Sequence, residues 1–289
     1  MKLDRGPTVS VIVTVFNGQA LAKRAIESVL AQTLADLEVI VIDDGSTDAT
    51  LDTLRQLGDR RVRLVANRAH GGRTRCLNQG VGLATGEFVA ILDADDVSFP
   101  ERLARQCDAL SVDPGLDLVG SRILRIDTEG RVLGVGPDAL DHGALEQMAW
   151  RSIPIPHPTW CGRRRWFELH PYRQWLRCSE DQELLYRAFP TSRFACLDDV
   201  LVVKRERELR LSTILRRRVW QTASEMASDM SAGRLRRAGS LALRTAVAAT
   251  RFVASGGWYE PTWRWSPADE DVVDRYERLR LAHLGSEAA

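Results

Sequence analysis

Three carboxylates follow an apolar stretch in the first half of the 289-residue chain, where Asp93, Asp95 and Asp96 come directly after residues 88–92. An apolar run of this kind predicts an inner strand of a parallel sheet. Side chains alternate along a strand, so Asp93 and Asp95 are expected on the same side. Carboxylate pairs suit Mg²⁺ or Mn²⁺, which prefer oxygen ligands and share them with substrate phosphates. The pattern therefore favours a divalent-metal site over the alternative, in which the acids only form a turn and cap a helix.

Two further acids, Glu180 and Asp181, follow Ser179 ahead of a segment with helical apolar spacing. Ser179 and Gln182 have the spacing of a capping box, and acids in the first turn of a helix stabilise its dipole. The spacing predicts a helix that begins at Ser179 and ends at Pro190. A helix that begins at a cleft would also fix the position of a carboxylate, so this structural interpretation is compatible with a functional one.

The elements around the acidic strand alternate between strand and helix patterns. Residues 8–15 and 37–42 are apolar and β-branched, and each is followed by apolar residues at helical spacing. A third strand is predicted at 62–66, and Pro100 opens a helix after the acidic strand. This alternation predicts an α/β fold with a parallel sheet covered by helices on both faces.

The second half of the chain has a different pattern. Residues 116–126 and 131–135 flank a turn and predict a hairpin, and 194–204 predicts a last strand. Helices are expected beyond that strand. We therefore expect an α/β domain over 1–206 and a helical region over 207–289.

Composition narrows the class of protein. A hydrophobic fraction of 44% and a charged fraction of 27% are typical of a globular chain with a core, and no apolar run is long enough to span a bilayer. Five cysteines without C-x-x-C spacing indicate reduced thiols in the cytosol, and residues 1–7 contain no signal-peptide apolar region. The motifs of P-loop enzymes, dinucleotide-binding folds, zinc sites and serine hydrolases are missing. We therefore expect a cytoplasmic protein.

Four segments occur in a specific order: VSVIVTVFNG (9–18), VIVIDDGSTDAT (39–50), LNQGVGLATGEFVAILDADD (77–96) and SEDQELLYRA (179–188). Together they resemble the inverting nucleotide-sugar transferases of glycosyltransferase family 2. The resemblance implies a GT-A fold, with a Rossmann-like, mostly parallel sheet and helices on both faces. It also makes 1–206 the catalytic domain and 207–289 a C-terminal helical appendage.

The resemblance implies a nucleotide site at the ends of the first two strands. It puts Thr14, Phe16 and Asn17 near the nucleobase and Asp44 on the uracil or ribose edge. A carboxylate can accept a hydrogen bond from the imide N–H of uracil, which supports Asp44 as a base reader. The alternative for Asp43 and Asp44 is a turn that leads into a capped helix.

Further donor-site residues are implied on either side of the acidic strand. Arg73, Arg75 and Asn78 precede it, and arginines there would pair with diphosphate, although an exposed helix face accounts for them equally well. His157 lies in the proline-rich loop 153–158, which resembles the family's H-P-[ST] segment. The resemblance implies a position for His157 near the acceptor or the diphosphate.

The metal and the base are assigned by the same resemblance. Asp93-Ala94-Asp95 matches the family's D-x-D motif, which holds Mn²⁺ or Mg²⁺ on the donor diphosphate, and Asp96 is adjacent. Relatives differ in which acid contacts the metal, and Asp95 is the first candidate. Asp181 matches the general base of the family's E-D motif, with Glu180 as a supporting or acceptor-binding residue.

The appendage contains a predicted basic amphipathic helix at 234–254, with Arg237, Arg244 and Arg251 on one face. Such a helix can lie on an anionic membrane surface, which would place the protein on the inner face of the cell membrane. The alternative is a helix that packs on the catalytic domain or on a second copy in a homodimer. The sequence leaves both interpretations open.

These features predict a metal-dependent, inverting glycosyltransferase. The donor is a nucleoside-diphosphate sugar, with UDP as the expected nucleotide, and the acceptor is a glycan or a lipid-linked acceptor in cell-surface polysaccharide biosynthesis. No nucleic-acid partner is expected. One alternative is a catalytically silent protein of the same fold that binds sugar nucleotides or acts as a scaffold. A second, a nucleotidyltransferase, lacks its glycine-rich, lysine-bearing phosphate loop after residues 8–15.

Overall fold

A mixed β-sheet forms the centre of the molecule. The computed structural model describes residues 6–138, 140–148, 155–176, 178–206 and 266–283. Within them the sheet has nine strands, in the order β3-β2-β1-β4-β8-β6-β9-β5, with β7 also paired to β6. The strands are β1 (Val9–Val15), β2 (Leu37–Asp43), β3 (Val62–Ala66), β4 (Phe88–Asp93), β5 (Val97–Ser98), β6 (Leu118–Ile126), β7 (Val132–Gly136), β8 (Cys161–Arg163) and β9 (Phe194–Arg205).

The first four strands of this order are parallel, as the sequence predicts. β1 lies between β2 and β4, and its residue Thr14 pairs with both Ile42 and Asp93. The carboxyl ends of β1, β2 and β4 therefore meet at one edge of the sheet. Parallel pairing also joins the long strands β6 and β9, whereas β5, β7 and β8 pair antiparallel.

Helices cover both faces of the parallel strands because successive side chains point to opposite faces. One apolar cluster joins Ile12 of β1 to α3, α6 and α7, and another joins Val11 of β1 to α1, α2 and α4. The predicted two-faced α/β architecture is therefore confirmed. The helices are α1 (Gln19–Leu30), α2 (Thr50–Arg55), α3 (Arg73–Leu83), α4 (Arg102–Val112), α5 (His142–Met148), α6 (Arg164–Leu169), α7 (Glu180–Ala188) and α8 (Glu270–His283).

Several short elements differ from the sequence-based expectations. The helical spacing after residues 37–42 predicts a helix that stops at Gly58, but α2 ends at Arg55. The segment between the loop 153–158 and Ser179, for which the sequence predicts no element, contains β8 and α6. A strand of three residues and a helix of six are too short to show a periodic pattern. The position of β8 depends on its pairing with β4 and β6 instead, and α6 follows β8 directly.

The described part of the C-terminal region, residues 266–283, packs on the sheet. Val272, Tyr276 and Leu279 of α8 join a third apolar cluster with residues of β6, β7 and β9. The predicted basic helix at 234–254 lies outside the described residues, and the domain boundary at 206 stays a prediction. Among the described helices, none has the length and apolar character needed to cross a membrane.

Candidate active site

The three acids predicted as metal ligands lie together at the carboxyl edge of the parallel strands. Asp93 is the last residue of β4, and a turn closed by the bond from Asp96 N to Asp93 O, 3.1 Å long, carries the chain onward. One carboxylate oxygen from each of Asp93, Asp95 and Asp96 lies within 4.8 Å of the others. Three hard oxygen donors at this separation fit Mg²⁺ or Mn²⁺.

The end of β9 places a cation against these acids. β9 pairs antiparallel with β5, which follows Asp96 directly, so Lys204 lies beside the acidic turn. Its Nζ is 3.6 Å from Asp93 Oδ2 and 3.4 Å from Asp96 Oδ2. The backbone N–H of Arg205 donates to Asp96 Oδ1 at 3.0 Å. Both oxygens of Asp96 are thus held by residues of β9.

Arg73, the first residue of α3, connects the acidic cluster to the predicted base. Its Nη2 contacts Asp93 Oδ1, and its Nε is 3.4 Å from Glu180 Oε1. Asp181 also lies close enough for its charge to act on the Arg73 guanidinium. The metal-ligand candidates therefore share one cation with the E-D pair, although the two sets are 84 or more residues apart in the sequence.

His157 is buried behind this cation, with 5% of its surface exposed. Arg73 Nη2 lies 2.8 Å from its Nδ1, and Tyr172 Oη lies 2.9 Å from its Nε2. A guanidinium only donates, so Nδ1 accepts and Nε2 carries the proton toward Tyr172. His157 thereby orients Arg73 near Asp93, whose Oδ1 is 3.6 Å from Nδ1.

The crowded acids differ in how readily they ionise. Burial favours the protonated form of Asp93, but the positive charges of Arg73 and Lys204 outweigh it and hold its pKa well below the usual range. For Asp96, burial outweighs the attraction of Lys204, and with the neighbouring charges of Asp93 and Asp95 it raises the pKa to about 7. The cluster therefore contains one firmly ionised acid and one that titrates near neutrality.

Asp44, predicted to read the nucleobase, is 3% exposed and holds the loop that leads into α3. Its two oxygens accept bonds from Gly71 N at 2.9 Å and Gly72 N at 2.8 Å. Gly72 has a φ of 95°, which favours glycine. Asp44 therefore sets the start of α3 and, through it, the position of Arg73.

The other predicted base-contact residues lie at the same edge. Phe16 is 44% exposed, and its ring centroid lies 4.2 Å from that of His70, which is bonded to Asp44. Asn17 is exposed, and its Oδ1 accepts a 2.9 Å bond from Thr47 N. Thr14 pairs in register with Asp93. Phe16 offers an open aromatic surface on which a base could stack.

Arg75 and Asn78 lie on α3 with different surroundings. Arg75 is exposed and lies over the backbone of Gly71, so it borders the Asp44 loop. The side-chain amide of Asn78 donates to Tyr172 O at 2.8 Å and accepts from Tyr172 N at 2.9 Å. These two bonds hold the Tyr172 segment, and hence the phenol that contacts His157, against α3.

Glu180 and Asp181 begin α7, as the sequence predicts, but the capping box does not form. Ser179 has a left-handed backbone with φ 58° and makes no side-chain capping bond, so that part of the prediction was wrong. Glu180 is 9% exposed and faces Arg73, whereas Asp181 is half-buried. The helix therefore presents one acid to Arg73 and leaves the next more accessible.

Two residues of this site, Lys204 and Tyr172, were not predicted from the sequence. Lys204 lies at the end of a predicted apolar strand, and its charge there was a usable signal. A lysine next to buried structure is usually paired with an acid. Tyr172 gave no signal, since its contacts with His157 and Asn78 depend on how α6 and the segment after it are placed.

Comparisons with known proteins agree with this site and fold. The family model described as glycosyl transferase family 2 matches residues 10–169, and the chain belongs to that family. The succinoglycan biosynthesis protein ExoO of Rhizobium meliloti is 36% identical over 140 residues, 47% of this chain and 39% of ExoO. The chain spans about half the length, or less, of ExoO and of two other curated glycosyltransferase relatives.

Two solved structures share the fold. Staphylococcus aureus TarS, residues 1–349 in complex with UDP, superposes with a TM-score of 0.59 at 20% identity, over 77% of this chain and 68% of that one. The mannosyltransferase PcManGT of Pyrobaculum calidifontis, in complex with GDP-Man and Mn²⁺, gives 0.58 at 22% identity, over 95% and 81%. These superpositions confirm the GT-A fold.

Proposed function

We propose that the protein transfers a sugar from a nucleoside-diphosphate donor, with UDP as the expected nucleotide, to an acceptor hydroxyl with inversion at the anomeric carbon. The observation that carries this proposal is the Arg73 bridge. It brings the Asp93, Asp95 and Asp96 cluster to the same cleft as Glu180 and Asp181. A single displacement requires a site that can hold the diphosphate through a metal ion and, next to it, an accessible carboxylate that can take a proton.

The reaction divides among the residues by position. Asp181 accepts the proton of the acceptor hydroxyl as its oxygen bonds to the anomeric carbon, while the bond from that carbon to the diphosphate oxygen breaks. Asp95, with Asp93 and Asp96, would hold Mn²⁺ or Mg²⁺, which when bound supplies positive charge to the departing diphosphate. The contact between Arg73 and Glu180 fixes the position of the acidic cluster relative to the start of α7, where Asp181 lies.

The donor occupies the edge formed by β1, β2 and α3 in this proposal. Phe16 stacks on the base beside Asn17 and Thr14, and Asp44 binds the uracil or ribose edge. Asp44 already accepts hydrogen bonds from two backbone amides and contacts His70 Nδ1 at 2.8 Å, so a base or ribose that binds there shares or displaces the His70 contact. Arg75 pairs with the diphosphate, with His157 and Asn78 behind the site.

The biological setting is proposed from the relatives. ExoO is named for succinoglycan biosynthesis, which supports a role in cell-surface polysaccharide assembly on a glycan or lipid-linked acceptor. We place the reaction in the cytoplasm, with membrane contact through 234–254 and homodimer formation as further expectations from the sequence. The alternative, a silent sugar-nucleotide-binding protein, requires that the acids and Asp181 be retained without turnover.

The test combines ligand binding with product analysis. Nucleotide sugars are screened with Mn²⁺ by thermal shift, because a bound donor stabilises the folded state, and the best donor is incubated with glycan and lipid-linked acceptors. A transferase releases nucleoside diphosphate and forms a product whose anomeric configuration, read by NMR, is inverted. Release of pyrophosphate would show a nucleotidyltransferase, and binding without any release would show a silent binder.

A further inference from the structure

Lys204 is a cation built into the acidic cluster. Its ammonium lies 3.6 Å from Asp93 and 3.4 Å from Asp96, and its side chain is 29% exposed. Arg73 also contacts Asp93, but it shares its charge with Glu180. Lys204 therefore compensates the acids of the cluster itself.

The backbone that carries Lys204 is held from both sides. Lys204 pairs in register with Arg125 of β6, its neighbour Val203 pairs with Val97 of β5, and Arg205 N is bonded to Asp96. The ammonium can rotate on its side chain, but its Cα stays beside the acids. A divalent cation that enters the empty cluster must therefore share Asp93 and Asp96 with an ammonium of like charge.

We propose that Lys204 couples metal binding to diphosphate binding: it weakens the affinity of the empty cluster for a divalent cation and strengthens its affinity for a nucleoside diphosphate. The proposal rests on the proposed function, because it concerns the same cluster. Repulsion from Lys204 opposes a cation that arrives alone. A diphosphate adds negative charge, attracts the ammonium and relieves that repulsion, so the two ligands favour each other.

The ionisation of Lys204 is consistent with this role. Burial lowers the pKa of a lysine, but the charges of Asp96, Asp93 and Asp95 outweigh that effect and raise it above the usual value. Lys204 is therefore charged at neutral pH. By linkage, any factor by which the diphosphate raises metal affinity is also the factor by which the metal raises diphosphate affinity.

The test measures the two affinities separately. Binding of Mn²⁺ to the full chain is followed by EPR of the free ion, with and without UDP, and binding of UDP in EDTA is followed by calorimetry. The variants Lys204→Met and Lys204→Gln remove the charge, and Lys204→Arg keeps it. Lys23→Met, on a partly exposed lysine of α1 paired with Glu27, is the control.

The expected result is a pair of opposite shifts. Loss of the charge tightens Mn²⁺ binding in the absence of UDP by about tenfold, a coupling of ordinary size, and weakens UDP binding in EDTA. The factor by which UDP raises Mn²⁺ affinity falls accordingly. Lys204→Arg and Lys23→Met leave these values near those of the wild type.

A purely structural role for Lys204 predicts a different pattern. Both affinities would then fall together in the Met and Gln variants, or neither would change, and either outcome overturns the coupling. Circular dichroism confirms that each variant is folded, and the glutamine variant can still donate a hydrogen bond to the acids. If the wild type binds neither Mn²⁺ nor UDP, the proposed function itself fails, and this result is distinct from a coupling that is absent.

Discussion

Single residues of the site act through charge compensation. Asp93 is kept ionised by Arg73, Asp96 is held by Lys204 and Arg205, and Glu180 faces Arg73. A carboxylate that lies near such a network without being fixed by it is better placed to exchange a proton. Asp181, half-buried at the start of α7, has that position.

Replacement of Asp181 by asparagine separates the base from a helix-stabilising acid. Asp181→Asn keeps the size of the side chain but cannot take a proton, so transfer should slow by about a hundredfold or more. The lost charge–dipole interaction should lower the free energy of unfolding by about 1 kcal/mol at most. Steady-state transfer rates and thermal unfolding check both values.

The matched control is Asp271→Asn, an acid in the first turn of α8. It should reproduce the small stability change and leave the transfer rate unaltered. Hydrolysis of the donor by water should survive in part in Asp181→Asn. A near wild-type transfer rate in that variant would move the base elsewhere, with Glu180 the next candidate.

Asp95 is the acid for which a metal role is predicted first. EDTA should abolish turnover, and Asp95→Ala should weaken donor binding measured with Mn²⁺ present. The apoprotein should unfold at the same temperature or higher, because one of three crowded negative charges is removed. Asp52→Ala, on an exposed acid of α2 paired with Arg55, should change neither property. Full activity in EDTA would contradict the metal assignment.

Asp96 gives the metal-free protein a specific pH dependence. Its pKa is raised to about 7 in the folded state, so the native protein binds more protons than the unfolded chain between about pH 4 and pH 7. Stability should therefore fall as pH rises through this window, by about 1 kcal/mol per pH unit at the steepest. Urea unfolding in EDTA at successive pH values measures it.

The comparison variant for this pH dependence is Asp96→Asn, whose slope over the same window should be close to flat. Only the slope is compared, since the substitution also changes the contact with Lys204. Equal slopes in the two proteins would assign the titration to other groups.

The sequence could predict those site residues that lie close together along the chain. Asp93, Asp95 and Asp96 lie within four consecutive positions, and Glu180 and Asp181 are adjacent. Their partners were not predictable in the same way. Lys204 lies 108 residues from Asp96, and the two meet only because β9 pairs with β5, a strand of two residues without a recognisable pattern.

At the scale of elements, α3 connects the nucleotide edge to the rest of the site. The helix begins at Arg73, and the side chain of its residue Asn78 holds Tyr172 through two hydrogen bonds. It packs on β1 through Gly80. A Cβ added at Gly80 would lie 2.5 Å from Ile12 Cγ2, whereas one at Gly82 would meet nothing within 4 Å. The spacing between helix and sheet therefore depends on one glycine.

Alanine substitutions at these two glycines should have opposite effects. Gly82→Ala should stabilise the protein by up to about 1 kcal/mol, because alanine has a higher helix propensity than glycine. Gly80→Ala has the same helix preference but must displace a fully buried, β-branched side chain, so it should destabilise by about 1–3 kcal/mol. Thermal unfolding of both variants tests this, and equal changes would show that α3 can move freely from β1.

Element prediction from the sequence succeeded where a pattern extends over at least one full repeat. β1, β2 and β4 have continuous apolar runs, and α4 shows Leu103, Cys107 and Leu110 at helical spacing, all three buried. The failures are local. Ser179 and Gln182 have capping-box spacing, but a left-handed backbone at Ser179 prevents the box, and that conformation depends on how the preceding segment approaches α7.

At the scale of the whole molecule, α8 belongs to the same packed structure as the sheet. Tyr276 is 1% exposed within the third apolar cluster, and its hydroxyl donates to Gly130 O at 2.9 Å. Arg275 contacts Glu101, and its guanidinium carbon lies 4.6 Å from the Phe99 ring centroid. The sequence predicted helices here but gave no partner for them, because an amphipathic pattern does not identify the surface it covers.

Truncation of Tyr276 tests whether α8 is part of the cooperative unit of the sheet. Tyr276→Ala should lower the free energy of unfolding by about 3 kcal/mol or more, and Tyr276→Phe, which loses the bond to Gly130, by about 1 kcal/mol. Leu281→Ala, at a position on α8 that is 71% exposed, should change it by less than about 0.5 kcal/mol.

Urea unfolding is followed by tryptophan fluorescence, because Trp160 and Trp166 lie in the buried cluster under α3 and α7. If α8 were an independent appendage, the midpoint of that transition would be the same in all three variants as in the wild type. A shift in the predicted order places α8 within the unit that carries the site.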